Sequence, residues 1–397
     1  MGNFSIQLVS NIPKTHSLAR GIWVILGRPR TYVFSLLIVM AHVQATTPAD
    51  AENLNTIFGN AIDTRTIVGA QLIEGRTTGP SEVSTNLGFI TPLRRQPVTD
   101  QTMFCVASCS KPLMSFVIFR LLDQGKLSLD TPVDQWLPAI ANPKLVDGSV
   151  VTAPTLQQLL AHRAGIYSQK EKLKPAQLRA IRDFRLTLSQ SVNQITRHPL
   201  ISKPGSRYAY SGAGYCLIGA IAESATSQPI DVVLQKQLCE PLGLASTTFF
   251  PNHRPDSTVA TGGQAKEVPP HLLGNAMRLP LVGGSIHTTA TDLQIFARMV
   301  ADRGMVHEKK MMKQKNWSRY VSAPYHAQRY GYGWTRTTIG DNVILSHNGS
   351  LPPAQATLKI NLTTGEYTIA LWTLTNPLDS KATSQLRSKI RLAMNES

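Results

Sequence analysis

Residues 104–132, from Phe104 to Pro132, read FCVASCSKPLMSFVIFRLLDQGKLSLDTP, and this stretch decides the fold. Past Lys111 the apolar residues fall on nearly every face: Leu113, Met114, Phe116, Val117, Ile118, Phe119, Leu121 and Leu122. A helix clothed this way has no solvent face, so it belongs in an interior. The pattern predicts a helix over about 108–124, with Gly125 stopping it as a C-cap glycine does. Pro112 fits, because first-turn N–H groups have no intrahelical acceptor to lose. Ser108 and Lys111 stand at its start, one turn apart on one face, and form the only Ser-x-x-Lys in the chain. A serine hydroxyl is a poor nucleophile until an adjacent base takes its proton. A lysine drawn out of water is able to be that base, because desolvation favours the neutral amine. The helix N-terminus adds free N–H groups and a dipole that favour developing negative charge. Taken alone, the motif also fits a capped helix whose lysine faces solvent.

Outward from this helix, the composition is that of a globular chain. Of 397 residues, 42% are hydrophobic and 16% charged, which excludes a disordered, collagen-like or polytopic membrane protein. The net charge of +16 suits an anionic surround, such as a cell wall or membrane surface, as well as plain solubility. No basic run, zinc-finger spacing or RNA-binding aromatic motif accompanies it, so nucleic acid is not an expected partner. Four of the basic residues, Lys14, Arg20, Arg28 and Arg30, precede Ala45 with no acid among them. The apolar run Tyr32–Met40 and then Val43-Gln44-Ala45 complete a signal-peptide layout over residues 1–45. The run is too short to span a bilayer, which takes about 20 residues. The expectation is export to the periplasm or medium, with an uncleaved, membrane-anchoring leader as the alternative. Cys105, Cys109, Cys216 and Cys239 permit three pairings, none singled out by sequence. Buried free thiols are the preferred reading. No cysteine–histidine cluster has metal spacing, and no cofactor is expected.

Strand signals gather at the two ends. Thr66–Ile73 reads as a strand running into a turn at Glu74-Gly75. Late in the chain come Asn342–Ser346, Ala354–Asn361 and Tyr367–Trp372, the last two joined by a Thr364-Gly365 hairpin turn. A final helix follows Leu386. The middle is helical, with a capping box at Thr155 and Gln158 and a similar pattern at Thr289 and Asp292. The fold class expected is mixed α/β. An antiparallel sheet built from both chain ends, over about 60–135 and 325–397, is flanked by helices. A mostly helical lobe over about 136–324 completes a body of residues 46–397. A cleft between sheet and helices is where a site belongs.

The segment 104–132 resembles the nucleophile helix of class C β-lactamase-like serine hydrolases, a superfamily that includes penicillin-binding carboxypeptidases, D-amino-acid peptidases and esterases. Three further segments resemble that family in order: Thr155–Gly165 (TLQQLLAHRAG), Pro204–Gly212 (PGSRYAYSG), and Tyr332-Gly333-Trp334 followed by His347-Asn348-Gly349-Ser350. The likeness covers about 60–390. It implies Ser108 as the acylated nucleophile, Lys111 as its base and Tyr210 as a second proton carrier. It implies an oxyanion hole from the backbone N–H groups of Ser108 and Ser350. His347 is expected near Lys111 or the acidic end of a substrate, and Gly349 is expected to let backbone approach the substrate. His162 reads as a structural residue serving loop backbone, and Gly283-Gly284-Ser285 as backbone geometry at the cleft.

Two departures stand out. Gly212 replaces the asparagine of the family's Tyr-x-Asn, and His347 replaces a lysine, turning a fixed charge into one that depends on pH. Both weaken recognition of a β-lactam or D-Ala-D-Ala carboxylate. The expected activity is hydrolysis of amide or ester bonds in a small-molecule or peptide substrate through an acyl-enzyme. The alternative is a non-catalytic envelope protein that keeps the fold as a binding module.

Overall fold

The computed structural model describes residues 53–78, 82–253, 258–263 and 269–394. The leader pattern of residues 1–45 lies outside them. In chain order, the elements that build the site's surroundings begin with α1 (Leu54–Asp63), β1 (Ile67–Arg76), β2 (Val83–Gly88) and α2 (Ser110–Asp123). Next come α3 (Leu156–Leu160), α4 (Gly212–Thr226) and α5 (Ala290–Ala301). The chain ends with β3 (Thr335–Ile339), β4 (Asn342–Leu351), β5 (Ala354–Asn361), β6 (Glu366–Leu374) and α6 (Ser380–Ala393).

Among the described residues, six strands form one antiparallel sheet in the order β2-β1-β6-β5-β4-β3. The N-terminal hairpin thus closes against the last strand, and both chain ends share one sheet, as expected. The period-2 alternation decides which side chain goes where. Along β6, Ala370, Trp372 and Leu374 face α1 and α6, where they meet Phe58, Leu386 and Ile390. The interleaved Tyr367, Ile369 and Leu371 face the larger core on the other side. The layers are helix, sheet, helix, so the inner strands β1, β5 and β6 are largely buried on both faces. Gln71 is buried in β1 without loss, since its Nε2 donates to Thr99 O and its Oε1 accepts from Ala290 N at the start of α5.

Helix α2 runs through that larger core. Its buried residues include Leu113, Met114, Phe116, Val117, Ile118, Phe119 and Leu121. Phe116 stands edge-on to Phe296 and Tyr320, and Phe119 edge-on to Tyr332. Gly125 follows the helix with φ of +71°. The nucleophile candidate does not lie in the α-helix itself. Ser108 sits in a 3₁₀ turn, Ala107–Cys109, that feeds directly into it. Ala107 enters that turn with φ of +46°, a left-handed conformation that costs a non-glycine residue about 1 kcal/mol or more.

Three local expectations need correction. Strand β1 does not turn at Glu74-Gly75 but runs on to Arg76, because Gly75 pairs with Tyr367 and the absent side chain leaves room for that ring. Strand β4 does not stop at Ser346 but carries His347, Gly349 and Ser350 within it. The last helix begins at Ser380 rather than after Leu386. The Thr155–Gln158 box is complete. At Thr289 the hydroxyl accepts from Asp292 N, and the Asp292 Oδ2 accepts from Ser246 N and Thr247 Oγ1. All four cysteines are buried thiols, none of them in a disulfide.

Candidate active site

The site forms where the turn before α2 meets the exposed edge of β4 and the loop before α4. Ser108 Oγ and Lys111 Nζ are 3.2 Å apart. The lysine is only 1% exposed, and its amine donates to the Gly283 carbonyl at 2.6 Å. It also lies 4.7 Å from the centre of the Tyr210 ring and 5.3 Å from that of Tyr215. No carboxylate pairs with it among the described residues. Burial therefore dominates and pulls its pKa down to about 7. Near neutrality a large share of Lys111 is an amine with a lone pair. One of its N–H groups is held by Gly283, which leaves the lone pair for the serine proton.

Lys111 Nζ reaches both Ser108 Oγ and the face of the Tyr210 ring, so the serine, lysine and tyrosine expected together do converge. Burial raises the Tyr210 phenol well above its ordinary value, against the smaller opposing influence of the Ser108 hydroxyl, so Tyr210 is a proton-bearing phenol at any working pH. The loop that carries it is fixed from two sides. Ser211 caps α4 by accepting from Gly214 N at 3.1 Å, and its own N–H donates to His162 Nδ1 at 3.1 Å. The His162 ring lies 4.4 Å from the Tyr210 ring, centre to centre. His162 thus serves loop backbone as expected, and it also sets the plane of the tyrosine. Burial, with Lys111 nearby, holds it neutral.

The strand residues sort differently from expectation. His347 is 6% exposed and occupied at both nitrogens, with Nδ1 2.9 Å from the Asn348 carbonyl and Nε2 3.2 Å from the Tyr330 hydroxyl. This places the proton on Nδ1 and makes Tyr330 the donor. Burial first, and the Lys111 charge second, lower its pKa to about 3. His347 is therefore a neutral ring across the physiological range, not a cation waiting for an acidic group. Gly349 permits a close approach, but of the protein to itself: a Cβ there would collide with the Val106 carbonyl and touch Ala107. That contact clamps β4 to the turn bearing Ser108.

The Ser350 side chain points to the opposite face, where its Oγ accepts from Arg387 at 2.8 Å. There it helps line a groove of about 500 Å³ with Asn348, Trp372, Thr383, Arg387 and Arg391. Its backbone is another matter. Leu362 N donates to Val343 O, so odd positions of β4 bond to β5 and even positions turn their backbone groups to the other edge. Strand β3 covers that edge only as far as Ser346. The N–H of Ser350 therefore faces the uncovered edge, on the strand that abuts Ser108. The N–H of Ser108 belongs to a first helical turn, where donors have no intrahelical acceptor.

Sequence reasoning missed two partners. The Gly283 carbonyl holds the lysine, although its glycine run was visible as cleft backbone. Tyr330 fixes His347; it lies two residues before the Tyr-Gly-Trp segment, and nothing in its spacing announces the contact.

A buried lysine beside a serine, in the turn that feeds an internal helix and faces a sheet edge, is an arrangement suited to acyl transfer through the serine. The family model for beta-lactamases matches residues 75–391, and the chain belongs to that family. Esterase EstB of Burkholderia gladioli is 27% identical over 321 residues, which are 73% of this chain and 80% of that protein. Among solved structures, EstCE1, a hydrolase with promiscuous acyltransferase activity, superposes with a TM-score of 0.70 at 21% identity, covering 85% of this chain and 97% of that one. The D-amino acid amidase of Ochrobactrum anthropi SV3 does so with a TM-score of 0.65 at 19% identity, covering 86% and 97%. The last two establish likeness of fold.

Proposed function

We propose that the protein is a serine hydrolase that cleaves ester or amide bonds through an acyl-enzyme on Ser108. The observation that carries this reading is the convergence of Ser108, Lys111 and Tyr210, with the lysine's pKa near 7. Lys111 takes the hydroxyl proton as Oγ attacks the carbonyl carbon. The oxyanion is received by the N–H groups of Ser108 and Ser350. As the tetrahedral adduct collapses, the leaving oxygen or nitrogen takes the Tyr210 proton, and the Lys111 ammonium restores it. Water then repeats the attack on the acyl-enzyme and frees Ser108. The neutral His347 supplies no fixed positive charge to a substrate carboxylate, which favours esters over β-lactams or D-alanyl peptides.

The test uses p-nitrophenyl butyrate and a chromogenic cephalosporin. The ester is expected to turn over at least about hundredfold faster in kcat/KM, and Ser108→Ala to lower ester turnover by at least about a thousandfold. Full activity in Ser108→Ala would contradict the proposal. Absence of turnover on any ester or amide would favour the binding-module reading. We also propose export, on the pattern before Ala45. Recovery from the periplasm or medium is expected, and retention in the cytoplasm would overturn it.

A further inference from the structure

The positive charge of the chain is concentrated. Residues 163–207 hold ten Lys and Arg against two acids, Glu171 and Asp183, so half of the net charge of +16 sits in this one stretch. Both acids are engaged within it, Glu171 with Arg207 at 2.8 Å and Asp183 with Arg179 at 3.4 Å. Lys170, Lys172 and Lys174 are exposed and form no ion pair among the described residues. The stretch reaches the edge of the active site. Ser168 Oγ donates to the Tyr210 carbonyl at 2.7 Å, and Lys170 Nζ lies 5.8 Å from the centre of the Tyr210 ring.

Leucines stand among these cations. The helix Pro175–Arg182 buries Ala180 and Ile181 and leaves Leu178 40% exposed. Leu178 lines a groove of about 390 Å³ with Pro175, Phe184 and Leu273, and Arg179 and Arg185 stand at the same groove. Leu272, next to Leu273 in the chain, is 58% exposed. Apolar groups set between basic ones suit a lipid headgroup layer, where leucine enters the acyl boundary and Lys and Arg reach back to the anionic heads. A soluble polyanion would engage the cations and leave the leucines in water.

We propose that this face, the helix Pro175–Arg182 with the lysines before it and Leu272 beside its groove, docks on an anionic lipid bilayer and brings the rim of the active site to the membrane surface. The docking does not depend on the hydrolase reading and is tested without turnover.

The test sediments the full chain with vesicles of phosphatidylcholine in which about a third of the lipid is phosphatidylglycerol, at about 0.1 M salt. Any contribution of residues 1–45 is common to every variant, so differences report the face. Lys172→Gln, Lys174→Gln, Arg179→Gln and Arg185→Gln together are expected to lower the partition coefficient at least about thirtyfold. The same change at four lysines exposed elsewhere, Lys126, Lys309, Lys315 and Lys381, is expected to stay within about threefold of the parent. Leu178→Asn with Leu272→Asn is expected to cost at least about fivefold. Equal losses in the two charge variants would make the stretch an ordinary solvated surface and overturn the proposal. Leucine variants that bind vesicles as the parent does, with retention on immobilised polyglutamate lost only in the patch variant, would make the face a site for a soluble polyanion and overturn it as well. The leucine pair carries the test by itself where the fourfold variant does not fold.

Discussion

At the scale of single residues, the site buries the basic side chains Lys111 and His347 near one another and sets them apart by their partners. Lys111 keeps a usable pKa near 7, and His347 is held at about 3 by burial and by the lysine itself. Protonating Lys111 removes the base, so kcat/KM is expected to rise with pH, reach half its plateau near 7, and fall about tenfold per unit well below that. A pH–rate profile on the butyrate ester checks this. A rate already at its plateau at pH 5 would mean that Lys111 is not the group titrated. His347 adds no transition above about pH 4. The pairing of Ser108 with Lys111 is legible in the sequence because three-residue spacing on a helix needs no distant information. The neutrality of His347 is not legible, since it comes from Tyr330 and from burial by elements far along the chain.

At the scale of elements, the turn before α2 and strand β4 are held together where Gly349 meets Val106 and Ala107 and where Cys109 Sγ donates to the His347 carbonyl. Gly349→Ala would push β4 off the turn that carries Ser108. A loss of about 3 kcal/mol in unfolding free energy is expected, with a fall in kcat larger than any rise in KM. Denaturant titration and steady-state kinetics together check this, and a variant with unchanged stability would contradict the clamp. Helix α2 was legible because apolar residues on every face have one explanation. The strands at both ends were legible through alternation. The length of β1 was not, since Gly75 reads as a turn until Tyr367 is placed opposite it. The bonds from Asp292 to Ser246 and Thr247 were not legible for a similar reason, since those donors come from a distant segment.

At the scale of the whole molecule, the first and last strands meet in one sheet, so the two chain ends are tied by strand pairing and by packing rather than by disulfides. Cys105, Cys109, Cys216 and Cys239 all lie in the core as thiols. The thermal midpoint is therefore expected to be the same with and without a reductant, and a drop on reduction would reveal a cross-link that this packing does not contain. The central claim is that one buried lysine makes one serine reactive. Its most direct test is to treat the protein with a fluorophosphonate and locate the adduct by mass spectrometry. A single adduct on Ser108 is predicted, absent in Ser108→Ala and slowed at least about a hundredfold in Lys111→Ala. Labelling of a different residue, or of Ser108 at full rate without the lysine, would contradict the account.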